Sequence, residues 1–243
     1  MCEDRPMTVG TVLGEAWALY TKFFVRFFLL AAVVFLITNL ASAVLFEVLG
    51  TDTTFAASLV GFAATVVIVI GNYWLQGALV FAVQDARNGS LDATNDEILH
   101  RVKPFLRTLV LAGLLAGLGV AAGLVLLIVP GLVLLTWWAL ISPVVVLEGT
   151  TTREAFGRSR ELVRGHAWTV FGVMATTTIL SLIAALILSA ALSFLPPFLE
   201  QWLGGTIAGA VVAPFTAIAV TLMYFRLAVI DQTTPAADTT VAS

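Results

Sequence analysis

A chain of 243 residues that is 60% hydrophobic and only 11% charged, with a mean hydropathy of +1.02, has more apolar surface than a soluble fold can cover. The lone Cys2 excludes an internal disulfide and any multi-cysteine metal site. The net charge of −3 excludes little, because the placement of charges matters more than their sum.

Several uncharged runs exceed the roughly 20 residues that carry a helix across a bilayer. The expected fold is therefore an all-α polytopic membrane protein: one membrane domain over 1–230 with six transmembrane helices and three cytoplasmic amphipathic interfacial helices, then a disordered cytoplasmic tail over 231–243. The acidic start Met1-Cys2-Glu3-Asp4 argues against a cleavable signal peptide. Residues 8–26 read as the first interfacial helix, because Val12, Leu13, Ala16, Trp17, Tyr20, Phe23 and Phe24 recur at helical spacing. Spans follow at about 27–49 and 55–83, joined through a loop at 50–54 and ended by a turn at Asn88-Gly89-Ser90.

Thr94-Asn95-Asp96-Glu97 has capping-box spacing, in which the hydroxyl and the carboxylate each take a free amide, and it opens the second interfacial helix. The third span, 106–128, carries Gly113, Gly117, Gly119 and Gly123 at small-xxx-small spacing, which favours close helix approach. Pro130-Gly131 reads as the turn into a short fourth span, 132–147, whose last turn Pro143 should disturb, with that backbone facing protein. A second capping box, Thr151 to Glu154, opens a helix with Ala155, Phe156, Ser159, Leu162 and Val163 on one side. Arg153, Arg158, Arg160, Glu161 and Arg164 lie on the other. The fifth span, 168–195, stops at Pro196-Pro197; 198–203 reads as interfacial, and the sixth span, 204–230, should kink at Pro214. The order of one surface helix and two spans occurs three times, an architectural repeat with little sequence identity.

All 12 Lys and Arg fall on one side of this arrangement, and the loops of the other side hold only Glu47, Asp52 and Glu200. The positive-inside rule then places both termini in the cytoplasm of a bacterial inner-membrane protein.

The stretch Ile128-Val129-Pro130-Gly131, Trp138, Pro143-Val144, Glu148, Ala155, Ser159, Leu162, Arg164-Gly165 and Trp168 resembles the membrane domain of the glycerophosphoryl diester phosphodiesterase family and its stand-alone bacterial six-span relatives. The match covers about a fifth of the chain. The resemblance implies the six-helix membrane fold. In two-part members a separate catalytic barrel hydrolyses glycerophosphodiesters; no residue here matches that barrel, so no catalytic residue is carried over.

The candidate functional residues are few. Glu148, beside the arginines of the following helix, is read as a salt-bridge partner, with a substrate or coupling-ion role as the alternative. Asn72 and Gln76, one turn apart in span two, are read as interhelical hydrogen-bonding groups that could also line a path. Arg158, Arg160 and Arg164, with Arg101 and Lys103, are candidates to face anionic headgroups. His100 and His166 have no second ligand at metal spacing, so neither metal nor cofactor is expected. The expectation is a non-enzymatic membrane protein with a structural, regulatory or accessory role. Its expected partners are membrane lipids and a membrane protein, not nucleic acid. A transporter of a lipid or small amphiphile is the alternative, and a membrane-embedded hydrolase stands third. Transport would require a closed, polar-lined cavity that reaches Pro143 and contains Asn72 or Gln76, and a packed interior there would count against it.

Overall fold

The computed structural model describes residues 7–49, 55–88 and 93–233. The loop 50–54, the Gly89-Ser90 part of the predicted turn and the tail from 234 onward lie outside the described residues. Among those described, the chain is helical with no strand. Its α-helices are α1 (Val9–Lys22), α2 (Phe24–Leu49), α3 (Phe55–Arg87), α4 (Asn95–Val102), α5 (Leu106–Leu126), α6 (Ile128–Trp137), α7 (Ile141–Glu148), α8 (Thr152–Val163), α9 (Ala167–Leu192) and α10 (Pro197–Thr233). Six stretches are long and apolar enough to cross a membrane: one each in α2, α3, α9 and α10, one over α4–α5, and one over α6–α7. The chain is thus an all-α multi-pass membrane protein.

The helix α10 is the centre of the bundle. It touches α1, α2, α3, α7, α8 and α9, and 50% of its membrane window is buried, against 17% for that of α9. Large apolar side chains such as Leu118 and Leu186 stay exposed on α5 and α9, which is costly in water but suits a lipid-facing surface. Tight helix contacts come from small residues: a Cβ on Gly209 of α10 would meet the Phe35 ring of α2 at 2.8 Å.

The short helices begin as their capping spacings predict. The Thr94 amide donates to Glu97 Oε2 at 2.7 Å, and the Thr151 amide donates to Glu154 Oε2 at 2.9 Å. A third box, Thr8 with Thr11, opens α1; threonine replaces the usual Glu or Gln, so its spacing gave no signal. α1 ends at Lys22 with Phe23 as its cap, short of the predicted 26, and packs across α10: its Glu15 carboxylate pairs with Arg226 and its Tyr20 hydroxyl donates to the Val211 carbonyl at 2.8 Å.

Four expectations are corrected. Pro130-Gly131 is no turn: both lie in the first turn of α6, and the chain reverses at Leu127, whose φ of −161° and ψ of 137° are extended. Proline is tolerated there because the first amides of a helix have no intrahelical acceptor. Gly131 instead allows close approach, since a Cβ on Gly123 would lie 2.9 Å from its Cα. The fourth span is interrupted at Trp138–Leu140, upstream of Pro143, which sits in the first turn of α7 and leaves α7 regular to Glu148. Residues 198–203 form no separate element but belong to α10, which continues through Pro214. The tail begins later than 231, because α10 runs to Thr233 and Asp231 is held by an ion pair.

Candidate functional site

The interruption of the fourth span is sealed by α8. The hydroxyl of Ser159, fully buried, donates to the Trp137 carbonyl at 2.7 Å and accepts from the Leu140 amide at 3.3 Å. One side chain thereby satisfies a donor and an acceptor that the break would strand. Phe156 meets Trp138 edge to face at 5.0 Å, and the Arg160 guanidinium lies over the Trp137 ring at 4.2 Å. This clamp fixes where α7 starts and therefore where Ser142 and Pro143 point.

They face a cavity of about 490 Å³ among α3, α7, α9 and α10, with Phe35 of α2 at its far end. That volume lies in the range of small-molecule sites. The cavity is partly open and its walls are largely apolar, so it reaches Pro143, Asn72 and Gln76 without being the closed, polar-lined cavity expected of a transporter; no lining residue is ionisable. Thr221 and Ala208, both in the lining, are thirteen residues apart on α10, so the space is about 20 Å long along that helix.

Hydrogen-bonding groups collect toward the α8 end. Ser142 Oγ donates to Gln76 Oε1 at 3.0 Å, joining α7 to α3. Gln76 is exposed although its neighbours Leu75, Gly77, Ala78, Leu79 and Val80 are buried; its exposure is to the cavity. Its amide nitrogen has no protein partner among the described residues. Asn72 donates Nδ2 to the Ile68 carbonyl of its own helix at 2.9 Å, so its carbonyl oxygen is the atom left for a ligand. Thr216 and Ser181 return their protons to their own helices at 3.3 and 2.7 Å. Thr221, in the wall and fully buried, has a hydroxyl without a partner among the described residues. The cavity therefore offers amide donors and hydroxyl or carbonyl acceptors side by side, with no charge.

About six residues further along α7, at the end of the bundle carrying α8, the chemistry changes. Glu148 accepts from Arg158 Nε at 3.3 Å and from the Tyr224 hydroxyl at 2.9 Å. Arg158 also reaches Asp231 at 2.8 Å and Glu161 at 3.3 Å. Burial alone would lower the Arg158 pKa, but the Asp231 hydrogen bond and the Glu148 charge outweigh it and the pKa is raised. The group ties α7, α8 and α10 together.

The predicted site residues thus separate into three places. Asn72, Gln76 and Pro143 share the cavity; Glu148 and Arg158 share the ion cluster; Arg160 is spent on Trp137, while Arg164 is exposed at the end of α8. Pro130 and Gly131 belong to the α5–α6 contact and reach neither. Arg101 pairs with Asp85 at 3.0 Å. Sequence reasoning missed Ser142, Thr221 and Tyr224 as site residues; Ser142 alone had a signal, a hydroxyl beside the proline of an interrupted span. Comparison with known proteins finds no family model, curated protein or solved structure that this chain matches.

Proposed function

We propose that the protein is a non-enzymatic carrier or transporter of a neutral, hydroxyl-bearing amphiphile, which it holds in the α3/α7/α9/α10 cavity. The observation that supports this most is the Gln76–Ser142 pair, facing a largely apolar space with no charge in its lining. An ionic head would enter with no counter-charge in the lining, a large desolvation cost. An anion would also face the acceptor oxygens of Asn72 and Ser142, whereas an alcohol or ester head uses donors and acceptors together. The alkyl part would lie along the apolar remainder toward Phe35 and Ala208.

In this reading the end bearing α1, α4 and α8 faces the cytoplasm of a bacterial inner membrane, following the placement of the basic residues. The accessory role through a basic α8 face is the weaker reading, because Arg158 and Arg160 are engaged inside the protein. The test is extraction and mass spectrometry of small molecules that co-purify with the full chain, compared with Ala213→Phe, which narrows the cavity wall. A neutral amphiphile present with the parent and depleted in the variant supports the proposal; equal amounts in both overturn it.

A further inference from the structure

One face of α10, from Ala208 to Thr221, lines the central cavity, and at its Ala208 end the helices α2, α3 and α10 close on one another through glycines. A Cβ on Gly209 would meet the Phe35 ring at 2.8 Å, and one on Gly205, a turn farther from Thr221, would lie 3.2 Å from Asn39 Oδ1. On α3 the contact is made by Gly71, next to the lining residue Asn72, where a Cβ would come within 2.6 Å of Thr38 Cγ2. The Trp202 indole N–H donates to the Leu36 carbonyl at 3.2 Å and holds α2 against α10 just beyond these contacts. Small residues on both walls thus let α2 pack between them, and the Phe35 ring, itself in the lining, stops the cavity at that end.

The depth from the polar pair to this stop follows from the register of α7 on α10. The Tyr224 hydroxyl donates to Glu148, and both helices run toward that rim, so Ser142, six residues before Glu148, stands level with about residue 218 of α10. From there to Gly209 is about nine residues, roughly 13 Å of helix. An extended alkyl chain advances roughly 1.25 Å per carbon, the projection of a tetrahedral C–C bond, so about ten carbons reach from the pair to the ring. The width fits one chain. About 490 Å³ spread over about 20 Å leaves a mean cross-section of about 25 Å², enough for one chain at van der Waals distance from its walls and too little for two side by side.

Resting on the reading of this cavity as a carrier site for a neutral amphiphile, we infer that it selects by chain length: a single acyl chain of about ten carbons runs from the Gln76–Ser142 pair to Phe35, which sets the limit. The test equilibrates the purified full chain in micelles with an equimolar mixture of monoacylglycerols from octanoyl to octadecanoyl and reads the bound species by native mass spectrometry. A methylene in the cavity is sheltered from water as it is in the micelle, so the shorter species should be retained alike. Retention should then fall about fourfold for each methylene past about ten. Phe35→Ala removes the stop and should move that fall to chains about four carbons longer, the depth of the ring. Ala208→Leu fills the same end, keeps both Phe35 and Gly209, and should move the fall to shorter chains, which keeps the test valid if Phe35→Ala disturbs α2. Retention that follows the mixture at every length, or a fall that neither variant moves, overturns the inference and leaves the neutral carrier standing. No monoacylglycerol retained at any length overturns both.

Discussion

At the two ends of α7, polar side chains are held in opposite ways. At its start, Ser142 and Gln76 share one neutral hydrogen bond beside a cavity with no charge in its lining. At its last residue, Glu148 meets a guanidinium, a phenol and, through Arg158, two further carboxylates. The separation is six residues, about 9 Å of helix. Depth accounts for the difference. Within the apolar bundle an ion must be fully paired to be tolerated, so neutral groups are used; near the rim, charges keep part of their hydration and can cross-link helices. The cavity end consequently has hydrogen-bonding capacity to spare, and the rim has little.

The largest effect is expected where the start of α7 is held. Ser159→Ala deletes only the hydroxyl oxygen and leaves the Trp137 carbonyl and the Leu140 amide buried without partners, which should cost about 3 kcal/mol. A large drop in the thermal midpoint in detergent is the expected reading; a midpoint unchanged within error would mean that Ser159 does not hold the break.

Arg158→Leu at the other end leaves Glu148, Asp231 and Glu161 without their cation, but the cluster is partly solvated. The expected loss is about 1–2 kcal/mol, shrinking as salt is raised. A salt-independent loss would mean that packing of the arginine stem, not charge, is what the rim supplies.

Gln76→Leu sharpens the contrast, because only the Ser142 hydroxyl loses a partner. Stability should stay nearly constant while affinity for a hydroxyl-bearing amphiphile falls about fivefold, the worth of one neutral hydrogen bond. Lost stability with unchanged binding would make the pair purely structural.

The smallest effect concerns the entry to α8. The Thr151 amide and hydroxyl hold the Glu154 carboxyl below its ordinary value of 4.5. A depressed carboxylate gives its stabilisation in full above the unfolded value and loses it as pH falls through the folded one. This group should therefore contribute a constant term from pH 7 to 5 and a declining one below about 4.5, and Glu154→Ala should remove that part of the acid limb of a midpoint-versus-pH curve.

Much of the architecture was legible because it depends on composition and period. Long uncharged runs have one stable form in lipid, and the capping boxes at Thr94 and Thr151 are local chemistry. The inward face of α8, with Ala155, Ser159, Leu162 and Val163 buried, follows from its spacing. The misreadings have a common cause. Pro130-Gly131 has turn chemistry, yet the reversal is made by Leu127 in an extended conformation any residue can adopt, and Gly131 serves a contact with Gly123. Arg158, Arg160 and Arg164 share one face by periodicity, but whether an arginine points to lipid, to Trp137 or to Asp231 depends on partners distant in sequence. The cavity was legible only as a condition on Asn72, Gln76 and Pro143; its walls from α9 and α10 carry no sequence signal.

With no charge in its lining, the central cavity should take a neutral head and refuse a charged one. Calorimetric titration of the full chain with a monoacylglycerol, the fatty acid of the same chain and the matching quaternary amine tests this directly. The prediction is saturable binding of one monoacylglycerol per chain, at least tenfold tighter than either charged analogue and weakened by Gln76→Leu with Ser142→Ala. Fatty acid or amine binding as tightly as the monoacylglycerol, or binding indifferent to that double substitution, would contradict it.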